Sequence, residues 1–523
     1  MIKTEIKLKI EYNDSDIISA VLDRIPIKRE QIKDLIIVRR ALNVKSKQDI
    51  HYDVSVAISA HEEVEKRLLN LKNHVKPFDE EHISIPKSTL KSRPVIVGFG
   101  PAGLFAALAL AEAGARPIVY ERGLEVDERV KRVKLFNTLG ILDTECNVQF
   151  GEGGAGTYSD GKLKYGSLDG YKRWILERLI ENGAPPEIIY STSAHVGTDK
   201  LSLIVKRIRE RIISLGGEVV FGARLVDLFI KNGKIIGGRV EKNGDFVDFS
   251  AEKLILATGH SARDVYRLLR DKGATLTPKQ FGIGVRIEHP REYIDNLVYG
   301  APAPERLGAA SYHLVTHLSS GRSVYSFCMC PGGEVVAASS EDGGVVTNGM
   351  SLHARNGENS NAALLVSVSP SDFGDDAMLG IALQERIERE AFVRAGSAYM
   401  APAERLSDFL SNSPVTSFGS VGATYPRGCV AMSMDYVLPS FITDSLREGL
   451  SDFDAWLPGY IFPDALLTAP ETRSTSPVRV ERGDTFSANG IDGLYPVGEG
   501  AGYSGGIISS ARDGLMCALS LLK

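Results

Sequence analysis

VIVGFGPAGLFAALALAEAGARPIVYERG, Val95 to Gly123, reads as strand, glycine turn, helix and second strand. Three β-branched residues open it, and a run rich in alanine and leucine follows. Gly98, Gly100 and Gly103 form a GxGxxG pattern across the turn, with Pro101 and Ala102 inside it. Gly98 permits the tight turn, Gly100 lets backbone approach a pyrophosphate, and Gly103 lets helix and strand pack closely. The phosphates would then meet the free N–H groups and positive dipole end of the helix. Glu121 ends the second strand about 20 residues on, where an acid takes ribose hydroxyls, and Arg122 follows it. A lone GxGxxG is weak evidence, but here strand, helix, second strand and acid stand in order. The pattern alone does not separate FAD from NAD, since both carry an ADP moiety.

Further segments belong with this unit. FGEGGAGTYSDGKL, Phe150 to Leu163, holds five glycines among fourteen residues. Glycine weakens regular structure, so such a run is either a linker or a place where backbone lies close against something. KLILATGH is an apolar strand ending in glycine, and EVVFGARLVDLFI, KIIGGRVEKNG and DFVDFS before it read as a three-stranded meander. The chain closes on LYPVGEGAGYSGGI and a helix.

Taken together, these segments resemble the two-dinucleotide-binding-domain flavoproteins of the glutathione-reductase-like superfamily. VIVGFGPAGL…VYERG is similar to their ADP-binding unit. Ala257, Thr258 and Gly259 are similar to their ATG strand end, and Gly498, Glu499, Gly500, Gly505, Gly506 and Ile507 to their C-terminal flavin segment. The resemblance implies FAD, with Glu499 on the ribityl chain in place of the more usual Asp. It also implies a helix from about Gly506 aimed at the flavin pyrimidine edge. The glycine-rich segment would cover the cofactor through Gly153, Gly154, Ala155 and Gly156, with Thr157 and Ser159 as hydrogen-bond donors. Lys162 is either a charge near the flavin or a surface lysine. Leu225, on the meander, is included among the cofactor neighbours. With YSFCMCPGGEVV and ETRSTSPVRV added, the order also resembles a narrower family of FAD-dependent dehydrogenases labelled NAD(FAD)-utilising, whose substrate is not known.

Composition sets the frame. A chain of 523 residues exceeds one core, and 43% hydrophobic with 24% charged residues is ordinary for a globular protein. The net charge of −5 gives no support to a nucleic-acid partner. No apolar run reaches the roughly 18 residues of a membrane span, and the N-terminus lacks the apolar core of a secretory signal. Five cysteines do not make a disulfide framework, and a reduced, cytoplasmic protein is expected.

The expected domains are a small α+β unit over 1–88, an FAD-binding α/β unit over 89–278, an inserted mixed-sheet domain over 279–474 with many short strands, and a return to the FAD unit over 475–523. In the first, IKLKIEY and IHYDVSVAI alternate as strands around a helix, DSDIISAVLDRI, capped by Asp or Ser. Its basic stretch, Ile27 to Lys45, reads as a solvated charged face. A role in binding a protein partner or in self-association is the other reading.

Candidate reactive groups are few. Cys328 and Cys330 lie two apart in an apolar strand and would face one side. They are either buried small residues, a reactive thiol or half of a metal site completed by His313 and His317. No CxxC is present, so a flavin-linked disulfide of the thioredoxin reductase type is not expected. No zinc spacing is present and no metal is expected. ATGHSARDVYRLL resembles the ADGxxSxxR segment of aromatic hydroxylases without its acid. It offers His260, Ser261 and Arg263 as cofactor contacts, or His260 as a helix start. Arg473 either anchors an anionic substrate or pairs with a carboxylate. No acid or base is assigned.

The fold is therefore expected to be α/β, a Rossmann-like FAD domain with an inserted α+β domain and a small N-terminal one. The function is an FAD-dependent oxidoreductase acting on a small molecule. Only one dinucleotide fingerprint is complete, so NADH or NADPH would dock transiently, or another donor would reduce the flavin. A flavin monooxygenase, or a non-enzymatic flavin protein acting through its N-terminal domain, are the alternatives.

Overall fold

Five three-residue strands, three of them buried throughout, make one sheet of the molecule. In the computed structural model, which describes residues 1–70 and 74–523, they form a parallel sheet in the order Leu494–Pro496, Leu254–Leu256, Val95–Val97, Ile118–Tyr120 and Glu218–Val220. The chain leaves the middle strand, Val95–Val97, toward one side and places its later strands on the other. That reversal opens a crevice at the carboxyl ends of the strands.

Helix Pro101–Glu112 carries no charge before Glu112 and is buried on almost every face. It lies between the sheet and helix Ile507–Leu521, so a one-sided apolar stripe would not suit it. The two helices approach so closely that a Cβ on Gly514 would stand 2.0 Å from the Ala102 carbonyl oxygen. Both begin at the same end of the sheet.

Glu218–Val220 corrects one sequence expectation. The segment EVVFGARLVDLFI is two strands, not one. Its first three residues join the parallel sheet, Gly222 turns the chain at φ +64°, and Ala223–Lys231 enters the antiparallel meander with Lys234–Lys242 and Asp245–Ser250.

Strands Leu276–Pro278 and Val478–Val480 pair antiparallel where the chain leaves and re-enters this unit. Between them stands a seven-stranded mixed sheet, in the order 315–317, 323–330, 359–368, 281–290, 466–471, 401–405 and 429–431. The strands are not uniformly short. Phe281–Pro290 and Asn359–Val368 pair over ten residues each. Helices Leu379–Arg394 and Ser440–Trp456 pack on this sheet, and neither is evident in the sequence reading.

The N-terminal sheet has the order 34–43, 51–59, 2–9, 76–77, over its own core from Ile2 to Val75. Asn13, rather than Asp or Ser, caps helix Asp14–Arg24, accepting from the N–H groups of Ser15 and Asp16. The basic stretch is an edge strand, Asp34–Asn43, and not simply a solvated face. The Arg40 N–H donates to the Tyr190 carbonyl at 2.7 Å, and the Thr192 N–H donates to the Arg40 carbonyl at 3.0 Å. The Arg40 guanidinium lies 5.3 and 5.2 Å from the ring centres of Tyr52 and Tyr190. Ile83, Ile85 and Leu90 then run against the core of the parallel-sheet unit.

The glycine turn depends on bare backbone. Gly98 has φ +98°, and a Cβ there would lie 2.4 Å from the Ala257 oxygen. A Cβ on Gly103 would lie 2.0 Å from the Gly98 oxygen. A Cβ on Gly100 would meet nothing closer than the Gly154 Cα at 3.6 Å. Gly98→Ala and Gly103→Ala should each lower stability by roughly 2–4 kcal/mol, and Gly100→Ala by about 1 kcal/mol or less. Thermal unfolding of the three variants checks this order, and equal losses would contradict it.

Candidate functional site

The crevice at the strand ends deepens into a cavity of about 300 Å³. Four loops that follow strands of the parallel sheet form its floor: Gly98–Pro101, Glu121–Arg122, Ala257–Ser261 and Val497–Glu499. The glycine-rich segment forms one wall and the inserted domain another.

Glu121 organises the floor. It is 5% exposed. Its Oε2 accepts the Phe99 N–H at 2.7 Å, and its Oε1 accepts the N–H groups of Gly123 and Gly151 at 2.9 and 3.0 Å. A carboxylate has about four acceptor positions. Three are taken by backbone, which leaves one on Oε2 for a hydroxyl in the cavity. Arg122 lies over the Phe150 ring at 4.3 Å and is held by Asp264 at 2.7 and 2.8 Å.

The glycine-rich segment is ordered by contacts with these loops, which removes the linker reading. Gly154 crosses Gly100, and a Cβ on Gly154 would stand 2.9 Å from the Gly100 Cα. The Gly153 and Gly154 N–H groups are spent on the Phe99 and Gly151 carbonyls at 2.9 Å each. Of the expected contacts, Gly154, Ala155, Gly156, Ser159 and Lys162 line the cavity. Gly153 and Thr157 do not. A Cβ on Gly153 would strike the Thr157 hydroxyl at 2.2 Å, so that glycine serves the fold of its own loop. Gly103 and Gly500 also stand behind the wall rather than on it, with Gly500 backed against Gly259.

Gly98, Gly100, Pro101, Ala102, Leu225, Ala257, Thr258, Gly259, His260, Gly498, Glu499, Gly505, Gly506 and Ile507 all line the cavity. Two helix N-termini open into it. Gly100 caps one and Gly506 the other, both without a side-chain cap, so the first-turn N–H groups have no side chain across them. Asp513 supports the last loop from behind, accepting the Gly498 N–H at 2.7 Å while paired with Arg482.

Glu499 projects into this space, and burial pushes its carboxyl up to about 7 against the opposing pull of Lys279. Burial and the neighbouring Arg473 and Arg263 charges push His260 down to about 3, so its ring is neutral at physiological pH. His260 does not cap helix Arg263–Asp271, which starts at Ala262 without a side-chain cap.

Arg473 is resolved in favour of the carboxylate. It donates to Glu388 at 3.0 and 2.7 Å, to Glu341 at 3.0 Å and to Ser340 at 2.5 Å, while one edge lines the cavity. Arg263 joins the same cluster through Glu388, Glu341 and Gln384, and does not reach the cavity. Burial pushes the Glu388 carboxyl up, but the two guanidiniums hold it down at about 2. Ser261 does line the cavity and donates to Gln149 at 3.1 Å.

Cys328 lines the cavity and Cys330 lies behind it, fully buried. They do not share one face of a flat strand, because the register slips between Phe327 and Cys330. His317 is exposed and bonded to Ser323. Among the described residues no group of three His, Cys, Asp or Glu side chains could hold a metal. Nor, among them, is any helix long and apolar enough to cross a membrane.

Sequence reasoning missed Gln149, Asp160, Lys164, Phe327, Asn348 and Glu471 on the cavity wall. Asp160 follows Ser159 in the glycine-rich run and could have been read there. The last three come from the inserted domain. Phe327 and Glu471 lie in YSFCMCPGGEVV and ETRSTSPVRV, but nothing in those segments singles them out, and Asn348 lies in neither. Burial raises Glu471 to about 7 against the lowering effect of Arg286.

Comparison with known proteins gives a family and several distant likenesses. Residues 280–474 match the model of a family described as "FAD-dependent protein, C-terminal domain-like". An uncharacterized protein of Clostridium beijerinckii is 44% identical over 513 residues, which cover 96% of this chain and 95% of that one. The chain belongs to the same family as the clostridial protein. Solved structures give looser likenesses. The 3-ketosteroid-Δ4-(5α)-dehydrogenase of Rhodococcus jostii RHA1 is 14% identical with a TM-score of 0.36, over 84% of this chain and all of that one (100%). The glycerol-3-phosphate dehydrogenase of Bacillus halodurans, complexed with FAD, is 10% identical with a TM-score of 0.35, over 82% of this chain and 64% of that one.

Glu499 gives a test by pH. An acid raised in the folded state adds full stability below its unfolded value of 4.5 and loses it as pH rises through about 7. In ligand-free protein, Glu499→Gln should match the parent at pH 4.5 and exceed it by about 1–3 kcal/mol at pH 8. Denaturant unfolding at both pH values measures this. A difference that does not change with pH would contradict it.

Proposed function

We propose that this protein is an FAD-dependent oxidoreductase of the glutathione-reductase-like kind, with FAD extended along the cavity. The observation that carries the reading is the convergence of two uncapped helix N-termini and one partly unsatisfied carboxylate on one space. Helix Pro101–Glu112 would take the pyrophosphate, because free N–H groups and the dipole favour an anion there. The remaining acceptor position of Glu121 suits a ribose hydroxyl. Glu499 suits a ribityl hydroxyl, which would donate to a carboxyl that burial otherwise disfavours as an anion.

FAD supplies the electron-transfer chemistry. The chain binds it, excludes water and sets its electrostatics. Helix Ile507–Leu521, with Gly506 at its cap, would turn its positive end toward the flavin and favour the reduced, anionic form. Lys162 adds a second positive charge on the wall, weakened because burial pushes its ammonium down. Only one complete dinucleotide fingerprint is present, so the electron donor visits the flavin rather than residing in a second domain. The edge strand of the N-terminal domain is bonded to the chain's own Tyr190 and Thr192, which favours a structural role for that domain over partner recognition.

Anaerobic titration of the purified protein with NADH, and then with NADPH, tests the oxidoreductase reading. Bleaching of the visible flavin band by one of them is the expected result. A band that persists with both nicotinamides and with dithionite as a strong donor would contradict it.

A further inference from the structure

The strand Ser323–Cys330 ends on the cavity wall with two cysteines separated by one residue, Met329. In a flat strand such residues sit about 6.6 Å apart along the chain, whereas disulfide Cβ atoms lie roughly 3.5–4.5 Å apart. This strand is not flat. Cys328 has φ +40°, an uncommon value for a residue with a side chain, and the ladder slips beside it. Cations hold the kink. Arg286 donates to the Cys328 carbonyl at 2.8 Å, and Lys162 donates to the Met329 carbonyl. The Cys330 thiol folds back and donates to the Cys328 carbonyl at 3.2 Å.

The two thiols differ in access. Cys328 is half-buried and opens into the cavity, while Cys330 is fully buried and does not line it. We propose that Cys328 and Cys330 form a redox-active dithiol, Cys328 attacking and Cys330 resolving, whose substrate is a disulfide.

The charges around Cys328 support this. The adjacent Cys330 thiol and the positive charges of Arg286 and Lys162 lower it well below an ordinary thiol, while burial and Asp160 oppose them. Glu471 and Glu499 face it as well, each with a carboxyl raised to about 7 and hence partly neutral. Cys330 is raised by the neighbouring Cys328 sulfur and by burial.

The exchange balances. The Cys328 thiolate attacks one sulfur of the substrate disulfide and releases one thiolate, leaving a mixed disulfide. Cys330 gives up its proton and attacks the Cys328 sulfur. The Cys328–Cys330 bond forms and the second thiolate leaves, so two electrons have passed to the substrate. Returning the pair to dithiol takes two electrons and two protons; reduced, anionic FAD in the same cavity would supply both electrons and one proton, and water the other. That last step alone rests on the function proposed above.

The test uses the full-length protein and glutathione redox buffers, with acid quenching, alkylation and peptide mass spectrometry. A Cys328–Cys330 disulfide should form with oxidised glutathione and reverse with reduced glutathione. Cys330→Ser should trap glutathione on Cys328, and Cys328→Ser should leave Cys330 unmodified. Iodoacetamide should label Cys328 of the unaltered protein within threefold as fast at pH 6 as at pH 8, where an ordinary thiol slows roughly 75-fold. Free thiols in every buffer, or an ordinary pH dependence at Cys328, would overturn the proposal. The visible spectrum of the same samples reports the cofactor separately. Yellow protein with inert thiols overturns the dithiol, whereas colourless protein that still forms the disulfide overturns only the FAD reading.

Discussion

One carboxylate draws three loops to a point. Glu121 accepts backbone N–H groups from Phe99, Gly123 and Gly151, which belong to the first glycine turn, its own strand end and the glycine-rich segment. Charge-assisted bonds of this kind are short and strong, and each fixes a backbone direction. The glycines then set the distances. Gly100 faces Gly154, Gly98 faces Ala257 and Gly103 faces the Gly98 carbonyl, all too near for a side chain at one partner or both. The cavity is what remains when these strand ends are held together without filling the space between them.

The inserted domain closes that space from the other side. Its tie to the parallel-sheet unit is ionic as well as apolar. Glu388 binds Arg263 from one unit and Arg473 from the segment leading back to it. Such a buried cluster is worth little when compared with a well-packed apolar core, but removing one member strands the others. Its effect here is geometric. It fixes where Arg473 and Ser474 meet the cavity, and it biases His260 toward the neutral ring.

Much of this was legible in the sequence, and the reasons are local. Gly98, Gly103 and Glu121 announce themselves because close backbone approach leaves only one residue type workable. The strand–turn–helix order of Val95–Gly123 and the glycine spacing of Val497–Ile507 likewise depend on neighbours in the chain. Other features depend on distant partners. Gly153 and Thr157 look like cofactor contacts, yet they meet each other. Arg263 lies beside the ATG turn in sequence but points to Glu388. Phe327, Asn348 and Glu471 reach the cavity only because strand pairing across the inserted sheet brings them there. The kink at Cys328 cannot be seen in YSFCMC, since alternation assumes the regular register that Arg286 and Lys162 break.

The central claim is that the space organised by Glu121 holds FAD. Acid release of cofactor from the purified protein, with identification and quantitation of the flavin by chromatography and mass, tests it most directly. The account predicts about one FAD per chain, lost on denaturation and regained by stripped protein when FAD is added. Protein that carries no flavin, and remains colourless after folded, stripped material is incubated with excess FAD, would contradict it.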